Sequence, residues 1–402
     1  MMALARALQW RGHDVTFMTG SLYASQAQRL GLRFVPLDSQ ERGTLDMSRP
    51  NAYQALSQQW HRIGQVAEQF CQFAANQLAA SQALERAAPV LVGSTFAVGV
   101  RLAQEAYGLR GVTVHMSPAC ILSSDQPPVF RDLNMPKGWP RWLRRLTWRL
   151  VEAVWLDPIC TRQLAPLRKR LGLGATRRVM SQWIHSPDLV LGMFPAWFSP
   201  PQADWPANTQ VVGFPLADQA VLDSLDPELE SLLLSGARPL VFNTGSAMRQ
   251  AGRFFAAAIQ VCERLGKHGV ILTRHDEHVP SLPHFVLRRS YAPHSLLLPR
   301  SSALVSHGGI GSVSMGLLAG IPQLVLPYAH DQFDNARWLS RLGVGAELPS
   351  NANASAMGDA LQALLTSVQV RESCKAVQRL MQEQGDAVLA ACLHIEALVA
   401  QT

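Results

Sequence analysis

The chain is predicted to be an α/β protein with two domains, each built on a doubly wound parallel sheet. Its 402 residues exceed one ordinary domain, and two domains of about 200 residues each are the natural expectation. Helix and strand patterns alternate in both halves, which indicates parallel strands joined by crossover helices. Hydrophobic residues make up 48% and charged residues 16% of the chain, so a large core is available and a disordered chain is excluded.

The first half alternates from residue 1. Helices are predicted over 1–9, 22–29 and 97–107, and strands over 14–19, 32–36, 90–93 and 112–116. A doubly wound domain should open with a strand, but this one opens with a helix. We therefore expect that its first, central strand and the following loop are missing, through a start assigned one strand too late. The alternative is a genuinely shortened, inactive protein, which is disfavoured because losing a central strand exposes two strand edges.

The second half repeats the alternation. Strands are predicted over 239–243, 269–273, 286–288 and 323–327, and helices over 254–265 and from 354 to about 400. An acidic, short-helical segment precedes them and is interpreted as a linker. The predicted organisation is a first domain over 1–216, a linker over 217–237 and a second domain over 238–402.

One segment, residues 306–336, carries the most chemistry. It predicts a strand that ends in a glycine-rich turn, then a helix; the residues concerned are His307, Gly308, Gly309, Gly311 and Ser312. Glycines between a strand and a helix let backbone N–H groups approach an anion, and the helix start adds about half a positive charge. The histidine stands where it can donate to a phosphate oxygen. A simple strand-to-helix turn and a structural histidine are the alternatives.

Polar side chains follow on the next loop, at the same predicted sheet edge. Asp331, Gln332 and Asn335 are candidates for binding sugar hydroxyls, although Asp in a loop commonly binds its own backbone. His330 and Asp334 extend the group to one that could suggest a divalent metal. We expect no metal site, because there is no DxD pair elsewhere in the chain. A phosphate cradle beside hydroxyl-binding side chains predicts a nucleotide-sugar site.

These residues resemble the donor-site signature of the GT-B nucleotide-sugar glycosyltransferases, of the UDP-glycosyltransferase (family 1) type. The resemblance extends over nearly the whole chain and is closest to the rhamnosyltransferases of bacterial rhamnolipid synthesis. The runs that carry it are RGHDVTF (11–17), SQWIHSP (181–187), FPAWFSPPQADWP (194–206), GFPL (213–216), YAPH (291–294) and AHDQFDNA (329–336).

The resemblance implies roles for individual residues. His307 would contact the donor diphosphate, and Asp331 with Gln332 would bind the sugar hydroxyls. Independently of the resemblance, Gly245 and Ser246 follow the first strand of the second domain at the same predicted sheet edge, where backbone amides and a hydroxyl would bind diphosphate oxygens; a plain turn is nearly as good an account of the serine. His307 and Asp331 are the predicted catalytic residues. The base that activates the acceptor is expected upstream of residue 1.

The nucleoside side of the site is also implied by resemblance. Tyr291 would stack on the pyrimidine and Ala292 would offer backbone groups. Plant members carry a Glu that holds the ribose where this chain has Met315, so ribose recognition differs or the nucleoside is thymidine. The implied reaction is inverting transfer of a hexose from dTDP-rhamnose or a UDP-hexose to a lipid-like alcohol such as a hydroxyalkanoyl chain. The nucleotide sugar would be a substrate, with no cofactor and no metal.

Basic residues concentrate in the middle of the chain. Eleven Lys and Arg lie between residues 137 and 178, opposed by two acids, and four Trp are interleaved with them. This pattern suits the headgroup zone of an anionic membrane. The alternative is a helical excursion packed on its own domain. Nucleic acid is not an expected partner, because no matching motif accompanies the patch.

The remaining features bound the cellular context and the rival functions. The six cysteines are scattered without a CxxC pair, which argues against a zinc site or a disulfide framework and suits a reducing compartment. No signal peptide or spanning apolar run is visible, so we expect a cytoplasmic protein, with peripheral membrane contact as an option. The rival functions are a catalytically incomplete, nucleotide-sugar-binding partner of another transferase and a nucleotide-sugar 2-epimerase.

Overall fold

A computed structural model describes residues 1–38, 52–131, 133–136, 138–216, 224–244, 252–275, 277 and 279–400. The chain divides into two compact units. Unit 1 comprises residues 1–128, 135–215 and 386–402, and unit 2 comprises residues 129–134 and 216–385.

Helices and parallel strands alternate along the described chain, as the sequence predicts. The helices are α1 (Met2–Trp10), α2 (Ala24–Arg29), α3 (Ala52–Ala83), α4 (Val98–Tyr107), α5 (Arg141–Val151), α6 (Asp157–Arg170), α7 (Pro227–Leu234), α8 (Gly252–Leu265), α9 (His294–Leu297), α10 (Ile310–Ala319), α11 (Gln332–Arg341), α12 (Ala354–Thr366), α13 (Val368–Glu383) and α14 (Ala387–Val399). The strands are β1 (Thr16–Thr19), β2 (Arg33–Pro36), β3 (Leu91–Ser94), β4 (Gly111–His115), β5 (Leu189–Gly192), β6 (Thr209–Val211), β7 (Leu240–Asn243), β8 (Gly269–Leu272), β9 (Val286–Arg289), β10 (Ala303–Ser306), β11 (Gln323–Val325) and β12 (Gly345–Glu347).

The strands of unit 1 form two separate sheets. One contains only β1 and β2, and the other has the order β3-β4-β5-β6; every pair is parallel. The two sheets share no ladder among the described residues.

The longest helix of unit 1 among the described residues is α3, with 32 residues. α3 packs against α4 and α6 through small and apolar side chains, among them Trp60, Ala67, Cys71 and Ala74, which are all fully buried. The small residues let the helices approach closely, since interiors are packed to high density. The helix was not predicted, because glutamines and alanines blur its apolar stripe.

Unit 2 has one six-stranded parallel sheet in the order β12-β11-β10-β7-β8-β9. Its strands alternate their side chains between two helical layers. Phe242 points to the layer that contains α8 and α12, and its neighbour Val241 to the layer that contains α7 and α9. Burial on both faces explains why the central strands read as continuous apolar runs. The chain passes outward from β7 on one side and from β10 on the other, so the strand order reverses between these two.

The domain boundaries differ from those predicted. Residues 386–402 return to unit 1, whereas 238–402 was predicted to form the second domain, and residues 129–134 join unit 2. The return of α14 has a packing cause: Cys392 and Ile395 pack in one core cluster with Leu4 and Leu191. Of the predicted linker over 217–237, residues 217–223 lie outside the described residues and 227–234 form α7.

An ion pair fixes the returning helix to the first one. Glu396 in α14 accepts from Arg11 Nε at 2.6 Å and from Arg11 Nη2 at 2.7 Å, and His13 lies 3.1 Å away. A bidentate arginine–carboxylate pair has a defined geometry as well as charge. Within the described residues, no helix is both long enough and apolar enough to cross a membrane.

Candidate functional site

The polar residues of unit 2 collect where the strand order reverses. β7 and β10 are paired in register, with Asn243 opposite Ser306 at their carboxyl ends. In open α/β sheets ligands bind in the crevice at such a switch point. Thr244 directly follows β7, and the glycine turn at 307–309 directly follows β10. Gly245 and Ser246 lie outside the described residues.

The glycine turn needs glycine at its second position. Gly308 has φ +85°, and a Cβ there would lie 2.6 Å from a methyl carbon of Val325 and 3.2 Å from the Gln332 carbonyl oxygen. Its N–H donates to Ser306 Oγ at 3.1 Å. The turn therefore combines a left-handed backbone with close approach of two other elements.

The turn leads directly into α10. Gly309 is the residue before the helix, and no side chain among the described residues caps the helix start. The first N–H groups of an α-helix have no partner within the helix. Gly311, in the first turn, is exposed, and a Cβ at this position would have nothing within 4 Å. The start of α10 thus offers open backbone donors at the sheet edge, which suits an anion.

His307 stands at the mouth of the turn. Its Nδ1 atom is buried and has no hydrogen-bond partner among the described residues. Burial lowers the pKa of His307, while a hydrogen bond between the ring and the Asn243 backbone and the charge of Asp331 oppose the shift. The imidazole is therefore neutral near pH 7. A Cβ on Gly309 would lie 2.5 Å from His307 Nε2, so the glycine makes room for the ring.

A second polar group connects the two strand ends to α9. Asn243 Nδ2 lies 3.2 Å from His294 Nε2 and 3.3 Å from Ser312 Oγ. The predicted Ser312 is thus brought next to Asn243 and His294, which were not predicted site residues. Their position at a strand's carboxyl end and at a helix start is the signal that identifies them. Thr244 adds a buried hydroxyl that has no partner among the described residues.

The predicted sugar-binding residues form a loop tied to the glycine turn. Gln332 Oε1 accepts from the N–H groups of Tyr328 at 2.8 Å and Ala329 at 3.0 Å. Asn335 Nδ2 donates to Asp331 Oδ2 at 2.9 Å and to the Gly308 carbonyl at 2.9 Å. Asn335 is fully buried, so it lies behind the site, whereas Asp331 and Gln332 are half-buried.

Asp334 has a structural position. Its carboxylate is buried, accepts from Val129 N at 3.0 Å and Trp338 Nε1 at 3.0 Å, and pairs with Arg337 at 2.5 Å. Burial raises the pKa of Asp334, and Arg337 opposes the shift. The neighbouring His330 is exposed and has φ +56°. Among the described residues there is no group of three His, Cys, Asp or Glu that could hold a metal.

The predicted nucleoside residues line an open groove. The groove has a volume of about 490 Å³ and is bounded by residues 224–227 and 291–293. Tyr291 is 41% exposed, whereas Ala292 is buried. Asp226, on the opposite wall, caps α7 and is bound by Arg289 at 2.5 Å. Hydrogen bonding to Arg289 lowers the pKa of Asp226.

Unit 1 contains a buried histidine pair at the carboxyl end of β4. His115 Nε2 lies 2.9 Å from His185 Nδ1, and His115 Nδ1 lies 3.0 Å from Thr95 Oγ1. Burial is the main cause that lowers the pKa of His185 to about 4 and that of His115 well below its usual value. Neither histidine was among the predicted site residues, and the two lie seventy positions apart in sequence.

Comparison with known proteins finds relatives of this sequence. Residues 261–387 match the family described as erythromycin biosynthesis protein CIII-like, C-terminal domain. The chain is 28% identical over 361 residues to the 4'-demethylrebeccamycin synthase of Lentzea aerocolonigenes, covering 87% of this chain and 84% of that protein. It is 26% identical over 219 residues to the sterol 3-beta-glucosyltransferase of Komagataella phaffii, covering 49% of this chain and 17% of that protein.

Solved structures show the same fold. The glycosyltransferase of kitacinnamycin has a TM-score of 0.71 at 20% identity, covering 99% of this chain and 95% of that one. The spinosyn rhamnosyltransferase SpnG, in complex with thymidine diphosphate, has a TM-score of 0.63 at 19% identity, covering 98% of this chain and 95% of that one.

The two units thus have the fold of the GT-B glycosyltransferases. With its EryCIII-like C-terminal domain, the chain is a homologue of the nucleotide-sugar glycosyltransferases of the UDP-glycosyltransferase, family 1 type.

Proposed function

We propose that the chain is an inverting glycosyltransferase that moves a hexose from a pyrimidine-diphosphate sugar to the hydroxyl of a lipid-like acceptor. The observation that carries the proposal is the unpartnered, buried Nδ1 of His307 beside the open start of α10. A buried polar atom without a partner is costly. A diphosphate oxygen seated there would satisfy the imidazole and the helix amides together.

The departing diphosphate gains negative charge as the glycosidic bond breaks. Fixed donors aimed at that charge lower the barrier, because they need no reorganisation when the charge develops. In this proposal the donors are His307 and the first N–H groups of α10. No divalent cation is required, and turnover should survive a chelator.

The sugar is proposed to lie against the loop that begins α11. The Oε1 atom of Gln332 is occupied by two backbone N–H groups, so its Nε2 hydrogens are the part that would donate to a sugar hydroxyl. Asp331 would accept from a second hydroxyl through the carboxylate that Asn335 orients. Such contacts accelerate the reaction by positioning the anomeric carbon.

The nucleoside is proposed to occupy the groove beside Tyr291. The exposed ring offers an aromatic face for a pyrimidine. Met315, where plant relatives carry a ribose-binding Glu, packs against the apolar core next to α9. An apolar residue there favours thymidine, which lacks one ribose hydroxyl, over uridine. The complex of SpnG with thymidine diphosphate supports the same choice, and the description of SpnG as a rhamnosyltransferase supports a deoxyhexose.

The acceptor is proposed to be an apolar alcohol, with a hydroxyalkanoyl chain as one candidate. The names of the relatives support an apolar acceptor class, since one is a sterol glucosyltransferase.

Replacing His307 tests the proposal. His307→Ala should lower turnover by about 100-fold or more, the usual effect of removing one donor from a developing anion. Its matched control is His268→Ala, because His268 is an exposed histidine of the same unit. The assay measures nucleotide release from dTDP-rhamnose and UDP-glucose, with hydroxy-fatty acids and sterols as acceptors. Equal turnover in both variants would remove His307 from the mechanism.

A second candidate is a nucleotide-sugar-binding partner that does not itself catalyse transfer. The strands of unit 1 lie in two separate sheets, whereas those of unit 2 form one continuous sheet; this favours the second candidate, because donor binding needs only the sheet of unit 2. Calorimetry and turnover separate the two. Donor binding with no product for any acceptor supports the partner role, and product formation excludes it.

A further inference from the structure

A row of exposed apolar side chains lies along α5 and the turn that follows it. Six of the nineteen large hydrophobic residues that are exposed in the described part of the chain lie within residues 139–155. Four of them recur at every fourth position and so share one helical face. They are Trp142, Leu146, Leu150 and Val154, with exposed fractions of 66%, 44%, 55% and 75%.

A row of arginines runs beside the apolar row. Arg141, Arg145 and Arg149 are exposed and are also four residues apart. Arg141 is paired with Asp125 at 2.6 Å. Neither Arg145 nor Arg149 forms an ion pair with any described residue. The outer face of α5 therefore consists of an apolar stripe and a parallel stripe of positive charge.

The opposite face of the same helix is firmly attached to unit 1. Trp148 is buried and its Nε1 donates to the Ser123 carbonyl at 3.2 Å, and Arg144 donates to the Asp125 carbonyl at 3.0 Å. In the following turn the buried Glu152 accepts from Ser181 N at 2.7 Å. The inner face of the helix is thus fully packed against unit 1, and the exposed apolar stripe on the outer face is not needed for that packing. Large exposed apolar patches on a well-packed protein mark interaction sites.

We propose that this outer face of α5 binds the surface of an anionic phospholipid bilayer. Arg145 and Arg149 would contact lipid phosphates, and Leu146 and Leu150 would enter the acyl boundary. Tryptophan is enriched at the level of the headgroups, which suits Trp142. An amphipathic helix with arginines beside a Trp and Leu stripe is the usual form of an element that lies in the membrane interface.

A second copy of the chain fits this face less well. A two-fold contact places the same patch on both subunits. It would bring the unpaired Arg145 and Arg149 of each copy together, and like charges disfavour such a contact. An anionic bilayer offers the opposite charge and the apolar layer at once.

Vesicle sedimentation tests the proposal without any assay of transfer. The full chain is mixed with vesicles of phosphatidylcholine alone, or of phosphatidylcholine with phosphatidylglycerol as the minor lipid. Binding is expected only to the anionic vesicles and should weaken as ionic strength rises. Each arginine near an anionic surface contributes about fivefold to partitioning, so Arg145→Glu with Arg149→Glu should lower it by at least about 25-fold.

An apolar double variant provides the second arm. Leu146→Ser with Leu150→Ser should reduce partitioning by about tenfold or more. Because these side chains are exposed, circular dichroism and thermal unfolding should match wild type. The controls are Arg371→Glu with Arg379→Glu on α13, and Leu389→Ser with Leu393→Ser on α14, all at exposed positions.

Three results would overturn the proposal. One is equal partitioning to neutral and anionic vesicles. Another is an equal loss of binding in the α13 or α14 controls. The third is a dimer in sedimentation velocity that the Leu146→Ser, Leu150→Ser variant abolishes, since that result assigns the face to a second copy.

Discussion

The side-chain amide of Asn335 lies 2.9 Å from the carbonyl oxygen of Gly308 and joins the loop of α11 to the glycine turn. The same nitrogen donates to Asp331. One buried residue therefore sets both the turn beside His307 and the carboxylate proposed for the sugar. The glycine turn and the Asp331 carboxylate are therefore held in position before the donor binds.

Removing that amide should uncouple the two halves of the site. Asn335→Ala leaves the Gly308 carbonyl without this donor and is expected to cost about 1–3 kcal/mol of stability. Affinity for dTDP should fall as well. Urea unfolding and calorimetry measure the two effects. Asp331→Ala is the comparison, because it leaves the Asn335–Gly308 bond in place and should impair turnover more than stability. Equal stability losses in both variants would contradict the bridging role.

Replacing Gly308 by alanine should lower the free energy of unfolding much more than the same change at Gly236, a glycine with a similar φ. Gly308 and Gly236 have φ values of +85° and +84°, but only Gly308 is crowded, with nothing within 4 Å of a Cβ at Gly236. Gly236→Ala should therefore show only the backbone strain of about 1–2 kcal/mol. Gly308→Ala should lose at least about 1–3 kcal/mol more, from overpacking, together with dTDP binding. Similar unfolding free energies for both variants would be inconsistent with the crowded turn.

Two substitutions of Gln332 should separate loop support from sugar binding. In Gln332→Glu a carboxylate oxygen can still accept from Tyr328 and Ala329, while the Nε2 donors are lost. We expect wild-type stability and a fall in kcat/KM of about 10-fold or more, the value of one hydrogen bond of about 1.5 kcal/mol. Gln332→Ala should lose activity and also unfold at a lower temperature. If Gln332→Glu retains full kcat/KM, the side chain only supports the loop.

The buried histidine pair should make the protein labile to acid. His185 has a pKa of about 4 in the folded protein against about 6.5 when unfolded. Between these values the unfolded chain binds more protons, so stability is complete above about pH 6.5 and declines as the pH falls towards 4. The slope is about 1.4 kcal/mol per pH unit for each histidine. His115 adds to the slope in the same direction, and the nearby Arg101 further disfavours the charged form of His185.

Urea unfolding at a series of pH values checks this sign. His185→Gln, which cannot titrate, should flatten the slope between pH 6.5 and 4 relative to wild type. His268→Gln, at an exposed position, is the control for replacing a histidine by glutamine. A slope that is the same in all three proteins would show that other groups cause the acid lability.

The architecture of unit 2 and the glycine turn could be predicted from sequence because they depend on local rules. Buried strands read as apolar runs, and the turn before α10 needs glycine at Gly308 for its φ of +85°. The positions of His307 and Asp331 at one sheet edge follow from the parallel topology. The hydrogen-bond partners of each side chain could not be predicted in the same way, since they depend on tertiary contacts.

Three features required the structure. The return of α14 to unit 1 depends on contacts between residues nearly 400 positions apart, such as the pair of Arg11 and Glu396. The buried position of Asn335 depends on its hydrogen bond to the Gly308 carbonyl. Sequence does not distinguish an asparagine that binds a sugar hydroxyl from one that is buried behind the site. The third feature is the orientation of the Gln332 amide. Its oxygen accepts from two N–H groups of the loop, which leaves the nitrogen for the proposed sugar contact.

The most direct test of the central claim follows the imidazole of His307 while dTDP is added. In wild type the carbon-labelled ring signal, assigned by its absence in His307→Gln, should shift on binding. Its pKa should rise from the depressed value of the free protein, because a bound anion stabilises the protonated ring. A His307 signal and pKa that do not change at saturating dTDP would contradict the proposed contact with the diphosphate.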